Sequence, residues 1–339
     1  MLASGEYVKE FERKFADYTG VKNGIATSSG TTALHTMLEA FGIGEGDLVL
    51  TTPFSFIATA NSILYAGAQP VFADVNLKTF NIDPHEIERR LEGKLIKALL
   101  IVHLYGCPCD MGRIMKLVRE HDLILIEDCA QAHGAEYQGK KVGSFGDAAC
   151  FSFYPTKNMS TGEGGMILTN DDDIADKARK IIDHGRSKGY RHEHDILGYN
   201  YRMTEIAAAI GIGQLKKLDG FNEKRIRNAE FLMNGLEGLE FLELPSVPNG
   251  CKHVFHQFTV RVNHRDRFIS YLSDKGIGYG IYYPIPIHRQ RLYAELGYDK
   301  QFIHAEQAAQ EVISLPIHPS LSESDLDRIL RTIQRYSIV

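Results

Sequence analysis

The sequence predicts an α/β fold: a mainly parallel sheet sandwiched by helices, followed by a smaller α+β unit at the C-terminus. Two observations lead there. Over the first two-thirds of the chain, short apolar runs alternate with segments whose apolar residues recur at helical spacing. The runs also lack the in–out alternation of a half-exposed strand. They therefore read as strands buried on both faces, as in a parallel sheet between helices.

The elements follow in order. Gly24-Ile25-Ala26-Thr27 is a strand leading into a helix whose apolar face includes Ala33, Leu34, Met37 and Leu38. Residues 47–50 form a strand and 55–66 a helix; 69–73 a strand and 84–92 a helix; 96–102 a strand and 111–120 a helix. Strands follow at 123–126, 148–153 and 165–169. Residues 204–240 read as long helices. Beyond them the pattern changes to strand 255–262, helix 265–275, strand 279–283 and helix 322–336. The expected division is a large unit over residues 1–220 and a small one over 221–339, with no flexible linker between them.

Composition narrows the class. The 339 residues carry 38 basic and 43 acidic side chains, a net charge of −5, which gives no global attraction to nucleic acid or anionic membrane. No apolar stretch reaches the length of a membrane span. Met1-Leu2-Ala3-Ser4-Gly5 has neither the basic nor the apolar segment of a secretion leader. Five cysteines, an odd number scattered through apolar runs, read as free thiols, and Cys107-Pro108-Cys109 lacks the further ligands of a zinc site. The expectation is a cytoplasmic protein with no structural or catalytic metal.

Ligands of an open parallel sheet bind at the carboxyl ends of its strands. Ser28-Ser29-Gly30-Thr31-Thr32 follows the first strand and opens a helix, which makes either an ordinary N-cap or an anion cradle. Thr51-Thr52-Pro53-Phe54-Ser55-Phe56 follows the second, offering an aromatic ring to cover a planar ligand or to fill the core. Glu127-Asp128-Cys129-Ala130-Gln131-Ala132-His133 follows the fifth. An acid there would hold a buried cation; the alternative is a helix cap by Asp128 with Glu127 facing solvent, but Glu, Asp, Gln and His within seven residues favour a site. Lys157 lies in a Ser/Thr/Gly-rich loop between two buried strands. Partial desolvation would lower its pKa toward a nucleophilic amine, with Ser152, Ser160 and Thr161 as donors around a ligand. A phosphate cradle, a covering ring, a buried acid and a lysine together fit one cofactor, pyridoxal phosphate.

The segments SSGTTALH, TTPFSFIATANSILYAGAQPVFADV, IEDCAQAHGAEYQGKKVGSFGDAACFSFYPTKNMSTGEGGM, LGYNYRMTEIAAAIGIGQL and YYPIPIH closely resemble the DegT/DnrJ/EryC1/StrS sugar aminotransferases, from about Gly5 to the C-terminus. The resemblance implies the fold-type I architecture of pyridoxal-phosphate enzymes. It implies amine transfer, usually from glutamate, to a keto sugar carried on a nucleoside diphosphate. By the same resemblance, Lys157 bonds the cofactor, Asp128 pairs with its ring nitrogen, and Gln131 touches its phenolic oxygen. Phe56 stacks on the ring, and Gly30, Thr31 and Ser152 cradle the phosphate. Asn200 reaches the phosphate of a partner subunit across a homodimer interface, and His288 shapes the sugar-nucleotide site. Relatives that dehydrate sugars carry His in place of the lysine, so Lys157 points to amine transfer. The loop Ser160-Thr161-Gly162-Glu163-Gly164-Gly165 is similar to that of members acting at C4 of the sugar, whereas Gly-Asp-Gly-Gly is commoner in C3 enzymes. Most relatives begin with a further short strand and helix. The competing readings are an aminotransferase for a free cyclitol or sugar phosphate, and a non-catalytic regulator. An intact Lys157, Asp128 and Gln131 disfavours the regulator.

Overall fold

The computed structural model describes residues 4–187 and 192–336, so Met1 and Val339, the outer ends of the two expected units, lie outside the described residues. In chain order the elements are α1 (Glu6–Thr19), β1 (Asn23–Thr27), α2 (Gly30–Ala40), β2 (Leu48–Thr51), α3 (Ala58–Tyr65), β3 (Gln69–Phe72), α4 (Pro84–Leu91), β4 (Ile96–Val102), α5 (Met111–Glu120) and β5 (Ile124–Asp128). Two short strands, β6 (Glu136–Tyr137) and β7 (Lys140–Lys141), precede β8 (Ala148–Ser152), β9 (Gly165–Thr169), α6 (Asp172–Ile181), α7 (Glu205–Leu215) and α8 (Leu218–Leu236). Then come β10 (Leu242–Glu243), β11 (Cys251–Lys252), β12 (Phe258–Val262), α9 (Arg265–Asp274), α10 (Arg291–Glu295), α11 (Ile303–Glu311), β13 (Val312–Leu315) and α12 (Glu323–Gln334).

The large sheet runs β1-β9-β8-β5-β4-β2-β3. It is mainly parallel, as expected: only β9 runs antiparallel to its neighbours, β1 and β8. Successive strand residues serve opposite faces, which explains the missing alternation in the sequence. Leu100 and Ile126 pack under α2 and α6, with Met37, Leu38 and Ala178. Their neighbours Leu99 and Leu125 pack under α4 and α5, with Ile87, Ile114 and Leu117. Toward the other end of the sheet α1 takes over, placing Phe11 and Phe15 against Phe151 and Leu168. Each such side chain contributes roughly 1.5–3 kcal/mol on burial.

Along edge strand β1, three outward backbone groups are occupied. Ala26 N–H donates to Glu12 Oε1 at 2.8 Å, Arg179 Nη2 donates to Gly24 O at 2.8 Å, and Ser28 N–H donates to Tyr201 O at 2.7 Å.

The C-terminal unit is built on the antiparallel sheet β10-β12-β13, packed against α8, α9 and α12 through Leu232, Phe258, Phe268, Ile313 and Ile329. Residues 287–312 return to the large sheet, where Tyr293 and Phe302 pack with Phe72. The boundary expected at 220/221 falls inside α8.

Two expected strands differ. The run from Phe255 enters β12 only at Phe258, because Phe255 takes a left-handed φ of 43° and the preceding chain bonds to the large unit. Val254 N–H donates to Gly106 O, and Gln257 N–H to Tyr105 O. Residues 279–283 form no strand; Gly280 makes one bridge to Ser314, and Tyr282 and Tyr283 then enter the main cavity.

Candidate active site

The carboxyl ends of β1, β2, β4, β5 and β8 surround a cavity of about 520 Å³. Asp128 ends β5 and is buried against it. Its Oδ2 accepts from Thr59 Oγ1 at 2.9 Å, and its Oδ1 from the Ala130 N–H at 3.1 Å. An ionised carboxylate only accepts, so the Thr59 proton is committed to it, and Ser55, 3.0 Å from Thr59 Oγ1, must donate in turn. Burial pushes the Asp128 carboxyl up, opposed by these hydrogen bonds and by the charge of Lys157. Asp128 has no cationic salt-bridge partner among the described residues, so its place suits a protonated ring nitrogen.

Glu127, one position earlier, faces the other way. It is fully buried rather than solvated, and it pairs with His103. Its oxygens accept from the N–H groups of Gly143, Phe145 and Gly146 and from His103 Nε2, at 2.8–3.0 Å. His103 Nδ1 accepts from the Cys109 N–H, which places the imidazole proton on Nε2. Both ring nitrogens are thereby used. The cluster of His103, Glu127 and Cys129, which has the spacing of metal ligands, has no histidine lone pair left for an ion. His133 is also buried away from the cavity, among Phe15, Phe151 and Phe153.

Gln131 is fixed in orientation. Its Oε1 accepts from the Tyr105 N–H at 2.8 Å, and its Nε2 donates to Tyr283 OH at 3.1 Å, on the cavity side. Of the two aromatics after β2, Phe54 is core, while Phe56 is 54% exposed and lines the cavity with Tyr283, their rings 6.1 Å apart.

Gly30 and Thr31 open α2 on the cavity wall, facing Ser152 at the end of β8. Ser29 and Thr32 cap one another: Ser29 Oγ accepts from the Thr32 N–H, and the Ser29 N–H donates to Thr32 Oγ1. Among the described residues the N–H groups of Gly30 and Thr31 have no partner, and as free helix donors they suit an anion. A Cβ on Gly30 would lie 2.8 Å from Ser152 Cβ, so only glycine permits this approach.

Lys157 lines the same cavity, and its Nζ makes no hydrogen bond or ion pair among the described residues. Burial lowers its pKa, partly offset by Asp128. Ser160 and Thr161 do not face a ligand as the sequence had led us to expect: they brace the loop by donating to the carbonyls of Phe153 and Glu163. Asn200 is exposed and His288 fully buried, and neither lines the cavity of this chain. His288 Nε2 lies 3.0 Å from Glu306.

Among the lining residues that escaped sequence reasoning are Thr59, Tyr283 and His256. Thr59 stands four positions after Ser55, a helical spacing that would have placed it beside the cavity. Tyr283 sits in the YYPIPIH run, where attention fell on His288. His256 bonds through Nδ1 to Asn158 Oδ1 at 3.2 Å, a contact between distant segments that no local pattern announces.

Unpaired amides at a helix N-terminus, an amine without a partner and a buried carboxylate without a cation answer the phosphate, aldehyde and ring nitrogen of pyridoxal phosphate. Fold and cavity define a pyridoxal-phosphate-dependent aminotransferase. The chain belongs to the DegT/DnrJ/EryC1/StrS aminotransferase family, whose model matches residues 1–334. It is 44% identical to a pleiotropic regulatory protein of Geobacillus stearothermophilus, over 98% of this chain and 90% of that one. It is 43% identical, over 98% and 89%, to the UDP-N-acetyl-3-dehydro-alpha-D-glucosamine 3-aminotransferase of Acidithiobacillus ferrooxidans. Among solved structures, NtdA from Bacillus subtilis with bound cofactor PMP superposes with a TM-score of 0.91 at 33% identity, covering 98% of this chain and 77% of that one.

Proposed function

We propose that this enzyme moves an amino group from an amino acid, L-glutamate, to the keto carbon of a nucleotide-linked sugar. The observation behind the reading is the pairing, in one cavity, of an unengaged Lys157 amine with the buried Asp128 carboxylate. The named activity of the Acidithiobacillus relative supports the nucleotide-sugar acceptor. Pyridoxal phosphate, when bound, supplies a conjugated ring that stabilises negative charge at the reacting carbon. Asp128 holds the proton on the ring nitrogen. Lys157 Nζ, its pKa lowered by burial, takes the proton from the donor carbon and later delivers one to the sugar carbon. Gln131 Nε2 and the Gly30 and Thr31 amides orient the ligand.

The Gly162-Glu163-Gly164-Gly165 loop, with Glu163 on the cavity wall, favours C4 of the sugar. The 3-aminotransferase relative favours C3 as a second reading. A homodimer completes the site, with Asn200 reaching the partner's cofactor and His288 buttressing the sugar side. Helix α7 supports this. It is apolar on all sides, and Ile206, Ala209 and Ile210 are exposed together on one face. Five unbridged thiols fit a cytoplasmic enzyme, and no helix among the described residues is long and apolar enough to cross a membrane.

The test is a half-reaction. The enzyme is loaded with pyridoxamine phosphate, and 3-keto and 4-keto nucleotide sugars are added separately. The expected result is return of the near-visible absorbance band with the 4-keto sugar. Response only to the 3-keto sugar selects the second reading. Response only to a keto cyclitol or free keto sugar phosphate overturns the nucleotide-sugar assignment.

A further inference from the structure

A second cavity of about 260 Å³ adjoins the first and shares Thr156, His256, Gln257 and Tyr282 with it. Its remaining wall comes from residues 278–280 and 314–318 of the C-terminal unit and from Arg225 of α8. Arg225 is 8% exposed. One arm is engaged: Nη1 donates to the carbonyls of Phe255 and His256 at 3.2 and 3.3 Å. Nε is sealed from solvent without a partner. Nη2 has no hydrogen bond among the described residues either, and Arg225 is part of the cavity lining.

No acidic side chain among the described residues lines this cavity. Other arginines of the chain have acidic partners. Arg179 pairs with Glu12, Arg202 with Asp183, and Arg261 with Glu243 and Glu311. Burial pushes Arg225 down to about 10, with no carboxylate to offset it. A desolvated guanidinium is costly unless a counter-charge arrives. The rest of the polar lining, including Thr156, Gln257, Tyr279 and His318, can donate hydrogen bonds.

We propose that Arg225 anchors an oxyanion subsite beside the catalytic cavity, binding a carboxylate or phosphate group of a substrate whose reacting carbon sits at Lys157. A planar guanidinium with a free arm is matched to either group. The identity of the anion rests on the aminotransferase reading above: it is the diphosphate of the acceptor or the distal carboxylate of the donor.

The experiment uses holoenzyme, so that the cofactor's own phosphate cradle is filled. Uridine diphosphate and glutarate are titrated separately by calorimetry into wild type, Arg225→Lys and His318→Asp. Lysine keeps the charge and a donor to the two carbonyls but loses the second arm. Aspartate at the exposed His318 adds repulsion at the cavity mouth and removes no side-chain bond that holds the fold. At least one probe should bind wild type and lose about tenfold in affinity in both variants. Loss for uridine diphosphate alone identifies the acceptor diphosphate, and loss for glutarate alone the donor carboxylate. If neither probe binds wild type, or both variants bind as wild type does, the subsite is refuted. The half-reaction on wild type separates the two ideas. Amine transfer to a keto sugar with unaltered variant binding sinks only the subsite. Variant-sensitive binding without any keto-sugar response sinks only the acceptor assignment.

Discussion

Glu127→Gln should unfold the protein far more readily while sparing the chemistry of its neighbour Asp128. Glu127 Oε1 accepts from the N–H groups of Phe145 and Gly146, each at 2.8 Å. Oε2 accepts from the Gly143 N–H at 2.9 Å and from His103 Nε2 at 3.0 Å. Glutamine offers one oxygen and an NH2. In either orientation the NH2 confronts two N–H donors in a fully buried site. Each stranded donor costs about 1–3 kcal/mol, so the loss is about 2–6 kcal/mol. Whole-protein stability is only about 5–15 kcal/mol, so the shift is large. The assay is urea unfolding of the cofactor-free chain, with the shift in midpoint read at constant slope. A loss below about 1 kcal/mol would refute the hydrogen-bond account. Lost cofactor binding at unchanged stability would make Glu127 a site residue after all.

The pH dependence has a definite sign. Burial pushes the Glu127 carboxyl up, but the His103 contact and the Gly146 and Gly143 amides outweigh it, so it lies below its ordinary 4.5. Its stabilisation is present above the unfolded pKa and is lost as pH falls through the lower folded one. The difference between wild type and variant should therefore shrink in acid below 4.5.

Lys157→Ala should abolish the borohydride-reducible link to the cofactor, read by intact mass, and slow amine transfer by at least about 10²-fold. A reducible adduct in that variant would overturn the lysine assignment. Asn200→Ala should weaken cofactor binding only when dimers form, and a purified monomer holding cofactor equally well would exclude the cross-subunit contact. Ile210→Asp should dissociate the proposed dimer in sedimentation velocity, and an unchanged sedimentation coefficient would remove α7 from the proposed interface.

Most of the sheet was legible because strands buried on both faces leave uninterrupted apolar runs, as in residues 98–102. Helix α1 was not, although Val8, Phe11 and Phe15 are spaced for one, because its mean character is polar and nothing in the local pattern shows what those residues cover. The strand expected from Phe255 failed for a tertiary reason: Gly106 and Tyr105 capture the backbone that β12 would otherwise have used. At the site, Asp128 and Lys157 stood out because a charge beside apolar strands is unusual. Thr59 and Tyr283 did not, since a threonine in a helix and a tyrosine in a loop are ordinary until the chain brings them to Asp128 and Gln131. Adjacent acids were also indistinguishable in sequence. Only the two-residue period of β5, which turns Glu127 and Asp128 to opposite sides, separates a structural acid from a ligand-facing one.

The occupied edge of β1 bears on how copies of this chain meet. An open strand edge invites another strand to add, whether in a dimer or in a disordered aggregate. Here a carboxylate, a guanidinium and a loop carbonyl already occupy the Ala26 N–H, the Gly24 C=O and the Ser28 N–H. Sheet extension at that end would first require these bonds to break. The association proposed above through α7 would instead use a helix face, which has a fixed shape and a finite size. Such contacts close after one partner, where a growing sheet would not.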